Sequence, residues 1–259
     1  MFPHPILFGV FCSIFVANFF YVFYQSTWGR LWKMGLAIFM TFMALSSGPL
    51  LAMLVQLLLI GWERLLRLFP PKWFLLFFFG GALLGMLQLA YPGGLIAFVI
   101  DTFAYNQQTG WGRTEILEYG GASVLRHPFF GIGLSADWGA PWWRPPSVDN
   151  YWLVVAMRYG LPALIFMWLG IGWHAVRMMA RRGLGAEAAN YRKGYLIALA
   201  GLFLVLGTVH IWGAVSVFIM FYLGAGAWIY SAEAPAPPAA GAATGPRCGR
   251  GATTRQRLV

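Results

Sequence analysis

Residues 36–60 read LAIFMTFMALSSGPLLAMLVQLLLI, two apolar runs without a charge, parted by Ser46-Ser47-Gly48-Pro49. Proline cannot donate the interior helical hydrogen bond and pushes the residue before it out of the helical region, so one helix ends here and another begins. Each run approaches the roughly 20 residues that a bilayer core demands of a helix. The same pattern recurs along the chain. Apolar runs at 5–24, 28–46, 49–66, 73–91, 150–176, 194–210 and 213–230 predict an all-α polytopic membrane protein of about seven membrane helices. The third and sixth are short, and the last two are divided at His210-Ile211-Trp212-Gly213.

Composition agrees. The chain is 59% hydrophobic and 10% charged, whereas a soluble domain carries about a quarter charged residues. Aromatic residues gather near the ends of the apolar runs, as an interfacial belt requires. The net charge of +10 does not make a nucleic-acid surface, because the cations sit in short connectors and a tail between apolar runs. The expected surroundings are lipid, with no nucleic acid. Cys12 and Cys248 match neither a disulfide framework nor a zinc spacing. The first residues lack a basic region and a small-residue cleavage site, so no signal peptide is expected.

The basic residues set the orientation. Arg30 and Lys33; Arg64, Arg67 and Lys72; Arg177, Arg181, Arg182, Arg192 and Lys193; and Arg247, Arg250, Arg255 and Arg257 fall on one side of a seven-helix map, 14 of the 18 in all. Arg113, Arg126, Arg144 and Arg158 fall in or beside the opposite loop. The first side is therefore assigned to the cytoplasm. The membrane domain spans 1–232, with an extracytoplasmic loop at about 92–149 between the fourth and fifth helices. Residues 233–259, rich in Ala, Pro, Gly and Arg, predict a disordered cytoplasmic tail. Within the loop, 114–125 predicts a short helix on the membrane, and the Trp138–Trp143 stretch is expected at the headgroup level.

The loop also carries the chemistry. Trp111-Gly112-Arg113-Thr114-Glu115-Ile116-Leu117 is followed by Arg126-His127-Pro128-Phe129-Phe130-Gly131-Ile132-Gly133, then Ser147-Val148-Asp149-Asn150-Tyr151-Trp152-Leu153, then Arg158-Tyr159-Gly160-Leu161-Pro162. Arginine carries a permanent charge on a planar fork that pairs with phosphoryl oxygens. His127 and Asp149 have proton chemistry suited to a base. With no Asp-x-Asp pair and no His cluster, no bound metal and no other cofactor are expected. Plainer roles remain open at each position. Arg113 suits headgroup snorkelling, His127 can close the preceding helix, and Asp149 and Asn150 are ordinary helix caps. Arg158 lies about two turns into an apolar run, where a charge must face protein or water. The Trp residues suit either sugar stacking or interfacial anchoring.

In their order and spacing these segments resemble the O-antigen ligase and polysaccharide polymerase superfamily of membrane glycosyltransferases, over roughly 41–230. Leu45-Ser46-Ser47-Gly48 resembles the family's Leu-Ser-Arg-Gly element, with Ser47 in place of its Arg. Asp149 stands where a His usually precedes the Asn, which is more similar to the exopolysaccharide branch. The resemblance implies transfer of a glycan from an undecaprenyl-diphosphate carrier to an acceptor sugar, at the extracytoplasmic face of a bacterial inner membrane. It implies catalytic roles for Arg113, His127 and Asp149, converging in one cavity, and substrate contacts from Arg126, Asn150, Arg158 and His210. Partners would be the lipid-linked oligosaccharide, the acceptor glycan, and components of polysaccharide export or chain-length control. Because members carry ten or more helices, the chain would correspond to their C-terminal part. The rival reading is a non-catalytic or partial membrane component of a polysaccharide assembly system.

Overall fold

A computed structural model describes residues 2–103, 107–135, 137–143 and 147–232; Arg144 and the expected tail at 233–259 lie outside them. The described residues form helices α1 (Pro5–Val22), α2 (Thr27–Phe42), α3 (Ser47–Leu65), α4 (Lys72–Ala90), α5 (Gly94–Phe103), α6 (Gln107–Arg126), α7 (Tyr151–Ala180), α8 (Ala186–Leu206) and α9 (Gly213–Ala225), the last continued by a 3-10 turn at Gly226–Tyr230.

Five of these, not the seven expected, are long and apolar enough to cross a membrane: α1, α3, α4, α7 and α9 with its 3-10 turn. The runs at 28–46 and 194–210 fall short for different reasons. The first yields α2, only 16 residues long and carrying Arg30 and Lys33. The second yields α8, whose N-terminal third is polar through Glu187, Arg192 and Lys193. Both helices still lie along α1. Arg30 at the start of α2 stands over Phe20 near the end of α1, whereas Ala44, just past the end of α2, meets Gly9 near its start. α8 likewise runs antiparallel to α1 and α3, with Gly194 against Ala17 and Gly201 against Ala52 and Gln56.

The core of the bundle is α1, α3 and α8. Leu7, Val10, Ile14, Ala52, Leu202 and Val205 pack together, fully or almost fully buried. Lipid tails are as apolar as these side chains, so burial alone gives little preference for helix over lipid; close packing and interhelical hydrogen bonds supply the rest. Gln56 is fully buried and bonds α1 twice, its Oε1 accepting from the Ala17 N–H at 3.2 Å and its Nε2 donating to the Ser13 carbonyl at 2.9 Å. At the basic end, buried Glu63 accepts from Lys193 at 2.9 Å and from the Tyr21 hydroxyl at 3.2 Å, with Lys72 at 3.5 Å. Removing one partner of such a buried charge typically costs about 3–5 kcal/mol.

The bundle therefore has two unlike ends. Arg30, Lys33, Arg64, Lys72, Arg181, Arg192 and Lys193 gather at one, through contacts with Phe20, Phe23, Glu63 and the Ala232 and Arg181 carbonyls. The starts of α1, α3, α7 and α9 and the end of α8 meet at the other, where Gly48 lies against Thr208 and Val209 and Tyr151 against His210. We expect single cysteines at position 182 to react with a cytoplasmic-side reagent and at position 142 with an outside reagent. Labelling of both from one side would contradict that orientation.

α7 is not the single straight crossing that its apolar run suggests. Gly160, at φ 82° and ψ 171°, breaks it. Trp152 and Trp168 would stand about 24 Å apart along a straight helix, yet their rings are 6.1 Å apart, so the halves fold toward each other. Pro162 is tolerated because it falls in the first turn after the break, where its missing N–H has no helical partner to lose.

The 92–149 stretch is more regular than expected. α6 covers 20 residues, not only 114–125, and α5 adds an apolar helix before it. Trp138 is buried with Ile116, Val124, Leu153 and Met157 and so packs α6 onto α7 rather than anchoring at the headgroups; Trp142 and Trp143 are exposed.

Candidate active site

α3 begins at Ser47 without a side-chain cap, although Ser46 precedes it. The amide N–H groups of its first turn thus have no helical acceptor, and the helix dipole places partial positive charge there. Beside this terminus lies a cavity of about 280 Å³. Its polar corner is Ser47, Gly48, Arg113, Thr114 and Thr208, and its apolar wall is Leu95, Ile96, Val99 and Ile100 of α5. Gly48 keeps the corner open. A Cβ there would meet Thr208 Oγ1 at 2.8 Å and Val209 Cγ2 at 2.9 Å, so the starts of α3 and the end of α8 approach closely only because it is absent.

Arg113 reaches this corner from α6. Its Nη1 donates to Ser47 Oγ at 3.3 Å, while its Nε is buried with no hydrogen-bond partner among the described residues. A buried donor left unbonded costs about 1–3 kcal/mol, more when charged, and an acceptor with several oxygens would remove that cost. Burial pushes the guanidinium pKa down, and the negative charge of Asp149 pushes it partly back. At any physiological pH the group remains a cation.

Asp149, Arg158 and His210 are not among the residues that line the cavity, but the charge of Asp149 acts on both Arg113 and His210 and that of Arg158 on His210. Asn150, the residue after Asp149, caps α7, its Oδ1 accepting from the Leu153 N–H at 2.9 Å. The His210 ring stacks on Tyr151 and on Trp212, with both ring centroids 6.0 Å away. Its Nδ1 is buried without a hydrogen-bond partner among the described residues. Burial is the largest influence on its pKa and lowers it; the nearby positive charge of Arg158 lowers it further, and Asp149 opposes both. His210 is therefore held neutral below the usual imidazole range near 6.5. The sign of the linkage follows. The unfolded chain binds this proton more readily than the folded one, so stability falls as pH drops through about 6.5. We expect the wild-type Tm to fall more steeply than that of His210→Gln between about pH 7 and 5. Parallel Tm profiles of the two proteins would contradict this.

Not every sequence candidate reaches the corner. His127 lies just past the end of α6, 14 residues beyond Arg113, or about 21 Å at 1.5 Å per residue. It is exposed. Arg126 lies at that same far end, its Nε donating to the Ala122 carbonyl at 3.3 Å and its guanidinium close to Gly139. Arg113, Asp149, Arg158 and His210 form one electrostatic neighbourhood; Arg126 and His127 stand apart from it.

The His127–Gly133 turn has a visible structural use instead. It clasps the break in α7. Leu161 N–H donates to the Pro128 carbonyl at 2.7 Å, Ile132 N–H to the Met157 carbonyl at 2.7 Å, and Gly133 N–H to the Arg158 carbonyl at 3.0 Å. These bonds satisfy backbone groups that the break at Gly160 releases. A Cβ at Gly131 would collide with the Met157 and Arg158 carbonyls, and one at Gly160 with the Phe129 carbonyl. The two motifs thus fix the first half of α7, and with it Arg158, against α6.

In the sequence Ser47 stands out only as a departure from the family's element, and nothing local marks Thr208 or sets the α5 wall apart. The signal for Ser47 was its place at a proline-marked helix start, where hydroxyls and free amides meet. α5 gave a weaker signal, since its 10 apolar residues are too few to stand out beside true spans.

Residues 33–169 match the O-antigen ligase family. That span holds α3 to α6 and the first half of α7, including Ser47, Arg113, Asp149 and Arg158, but not Thr208 or His210. No curated protein and no solved structure matches the chain.

Proposed function

The chain belongs to the O-antigen ligase family, which it matches over more than half its length, and from this premise we propose that it transfers a glycan from an undecaprenyl-diphosphate carrier to an acceptor sugar. The observation that carries the proposal is Arg113, half-buried in a cavity with an uncapped helix start on one side and an apolar wall on the other. A lipid diphosphate has both characters, anionic at its head and apolar along its chain. The phosphoryl oxygens would meet the Arg113 fork, the Ser47 hydroxyl and the first amides of α3. The isoprenoid would lie along Leu95, Ile96, Val99 and Ile100 of α5.

The chemistry then balances without redox change. The acceptor hydroxyl oxygen attacks the anomeric carbon, the bond from that carbon to the phosphate oxygen breaks, and the carrier diphosphate leaves with the electron pair. The hydroxyl proton passes to a base. His210, neutral beside Asp149, and Asp149 itself are the two groups able to take it. Arg113 meets the charge that grows on the leaving diphosphate, the role a preorganised cation fills best in a site shielded from water. In this reading the active face is extracytoplasmic in a bacterial cytoplasmic membrane, opposite the basic end, and other export or chain-length components would act beside it. Transfer by the purified chain, assayed with lipid-linked oligosaccharide and acceptor, tests the proposal.

One observation favours the rival reading of a non-catalytic or partial component. Ser47 replaces the family's Arg at the polar corner, leaving Arg113 as the described arginine that lines the cavity. A folded chain that binds the lipid-linked donor yet releases no carrier diphosphate would establish that reading.

A further inference from the structure

At the basic end, Arg30 in the first turns of α2 and Arg64 in the last turn of α3 converge on one side chain. Their guanidinium carbons stand 4.8 and 4.9 Å from the Phe20 ring centre. Lys33 stands 3.2 Å over the neighbouring Phe23 ring. Two like charges held at one ring repel each other unless an anion lies between them. The nearby carboxylate is Glu63, and it is already engaged by Lys193, Lys72 and Tyr21, with Arg64 3.8 Å away. Arg30 Nε is buried and without a hydrogen-bond partner among the described residues.

The surroundings say what kind of anion fits. Trp28 and Trp32 on α2 are 79% and 66% exposed, and Leu65 and Leu68 at the end of α3 are 82% and 94% exposed. Arg64 shares Glu63 with two lysines, and no carboxylate is paired with Arg30 among the described residues; cations so placed on helix ends that also carry large exposed apolar groups suit an amphiphile better than a free ion. The end of the bundle where they lie is the one where hydrocarbon gives way to headgroups, as the basic residues and aromatic rings there indicate. We propose that Arg30 and Arg64 bind the phosphodiester headgroup of an anionic phospholipid, its acyl chains running from there along the exposed apolar surface of the bundle. Phe20 is the ring that both guanidiniums approach, and Lys33 adds to the attraction. The site lies at the opposite end of the bundle from Arg113 and is independent of the transfer reaction.

The test is native mass spectrometry of the full chain carrying phosphatidylglycerol or phosphatidylcholine at matched concentrations. The expected result is about a tenfold preference for phosphatidylglycerol, from two cations acting at the membrane surface. Arg30→Gln with Arg64→Gln should abolish that preference, while Arg182→Gln, altering another cation of the same end, should preserve it. Equal retention of the two lipids by the unaltered chain overturns the proposal, whatever the variants do. Full displacement of phosphatidylglycerol by millimolar inorganic phosphate also overturns it, since the site would then belong to a free anion. An unchanged preference in the double variant would show that the general positive charge of this end, and not this pair, selects the lipid.

Discussion

Arg113→Lys is expected to lower the rate of transfer by about 10²–10³-fold, the loss seen when one preorganised donor to a developing oxyanion is removed. The lysine keeps the charge and loses the planar fork, so it cannot hold Ser47 and two phosphoryl oxygens in the same geometry. Its ammonium also carries tighter hydration into a corner where the guanidinium is already half-buried. Insertion and thermal stability should change little, because among the described residues the guanidinium is held by a 3.3 Å bond to the Ser47 hydroxyl. Assaying transfer alongside Tm separates the two effects. Near-normal transfer would reduce Arg113 to a headgroup anchor.

A different kind of loss is expected from Gly160→Val. The backbone at Gly160 occupies a region that is essentially restricted to glycine, and forcing another residue there costs on the order of 1–3 kcal/mol before any collision is counted. The added Cβ would in addition strike the Phe129 carbonyl and push the clasp open, freeing the Leu161 N–H and the Met157 and Arg158 carbonyls. We expect the variant to lose the bend, to melt markedly lower, and to expose the 127–133 turn to protease. Gly172→Ala is the control, since its Cβ would meet nothing within 4 Å. Equal Tm values and protease patterns for Gly160→Val and wild type would remove the clasp from the account.

The two cases also mark what the sequence discloses and what it hides. The start of α3 at Ser47-Gly48-Pro49 was legible because proline, glycine and hydroxyl residues act locally on the backbone. Long apolar runs were legible because a bilayer imposes length and composition on each span separately. What separates crossing helices from α2 and α8 is subtler. α8 is buried along much of its length by α1 and α3, so protein supplies part of the apolar surroundings that the run of 194–210 suggested lipid would supply. The break at Gly160 is harder to read: Arg158, Gly160 and Pro162 interrupt the apolar run of 152–168, but such residues also occur within crossing helices, and it is the main-chain bonds from the distant 128–133 segment and the meeting of Trp152 with Trp168 that disclose the fold-back.

The site divides in the same way. Arg113, Asp149, Arg158 and His210 could be picked out by residue type, since charged or titratable groups beside apolar runs are few in this chain. His127 was picked out on the same ground and by resemblance, and the length of α6 carries it away from Arg113. Distance along a helix is a simple calculation once the helix's extent is known, and α6 was expected to begin seven residues later than it does. Arg126 shares that displacement. The pairing of Arg113 with Ser47 joins positions 66 residues apart, and no local pattern encodes it.

The most direct test of the central claim is release of the lipid diphosphate. The purified full chain, in lipid, would be mixed with an undecaprenyl-diphosphate-linked oligosaccharide and an acceptor glycan, and free carrier diphosphate and extended glycan would be counted together. The proposed chemistry predicts that they appear in equal amounts with the wild-type chain, only when acceptor is present, and that Arg113→Ala abolishes both while still melting cooperatively. Folded wild-type protein that forms neither product, or an Arg113→Ala protein that forms both at the wild-type rate, would contradict it.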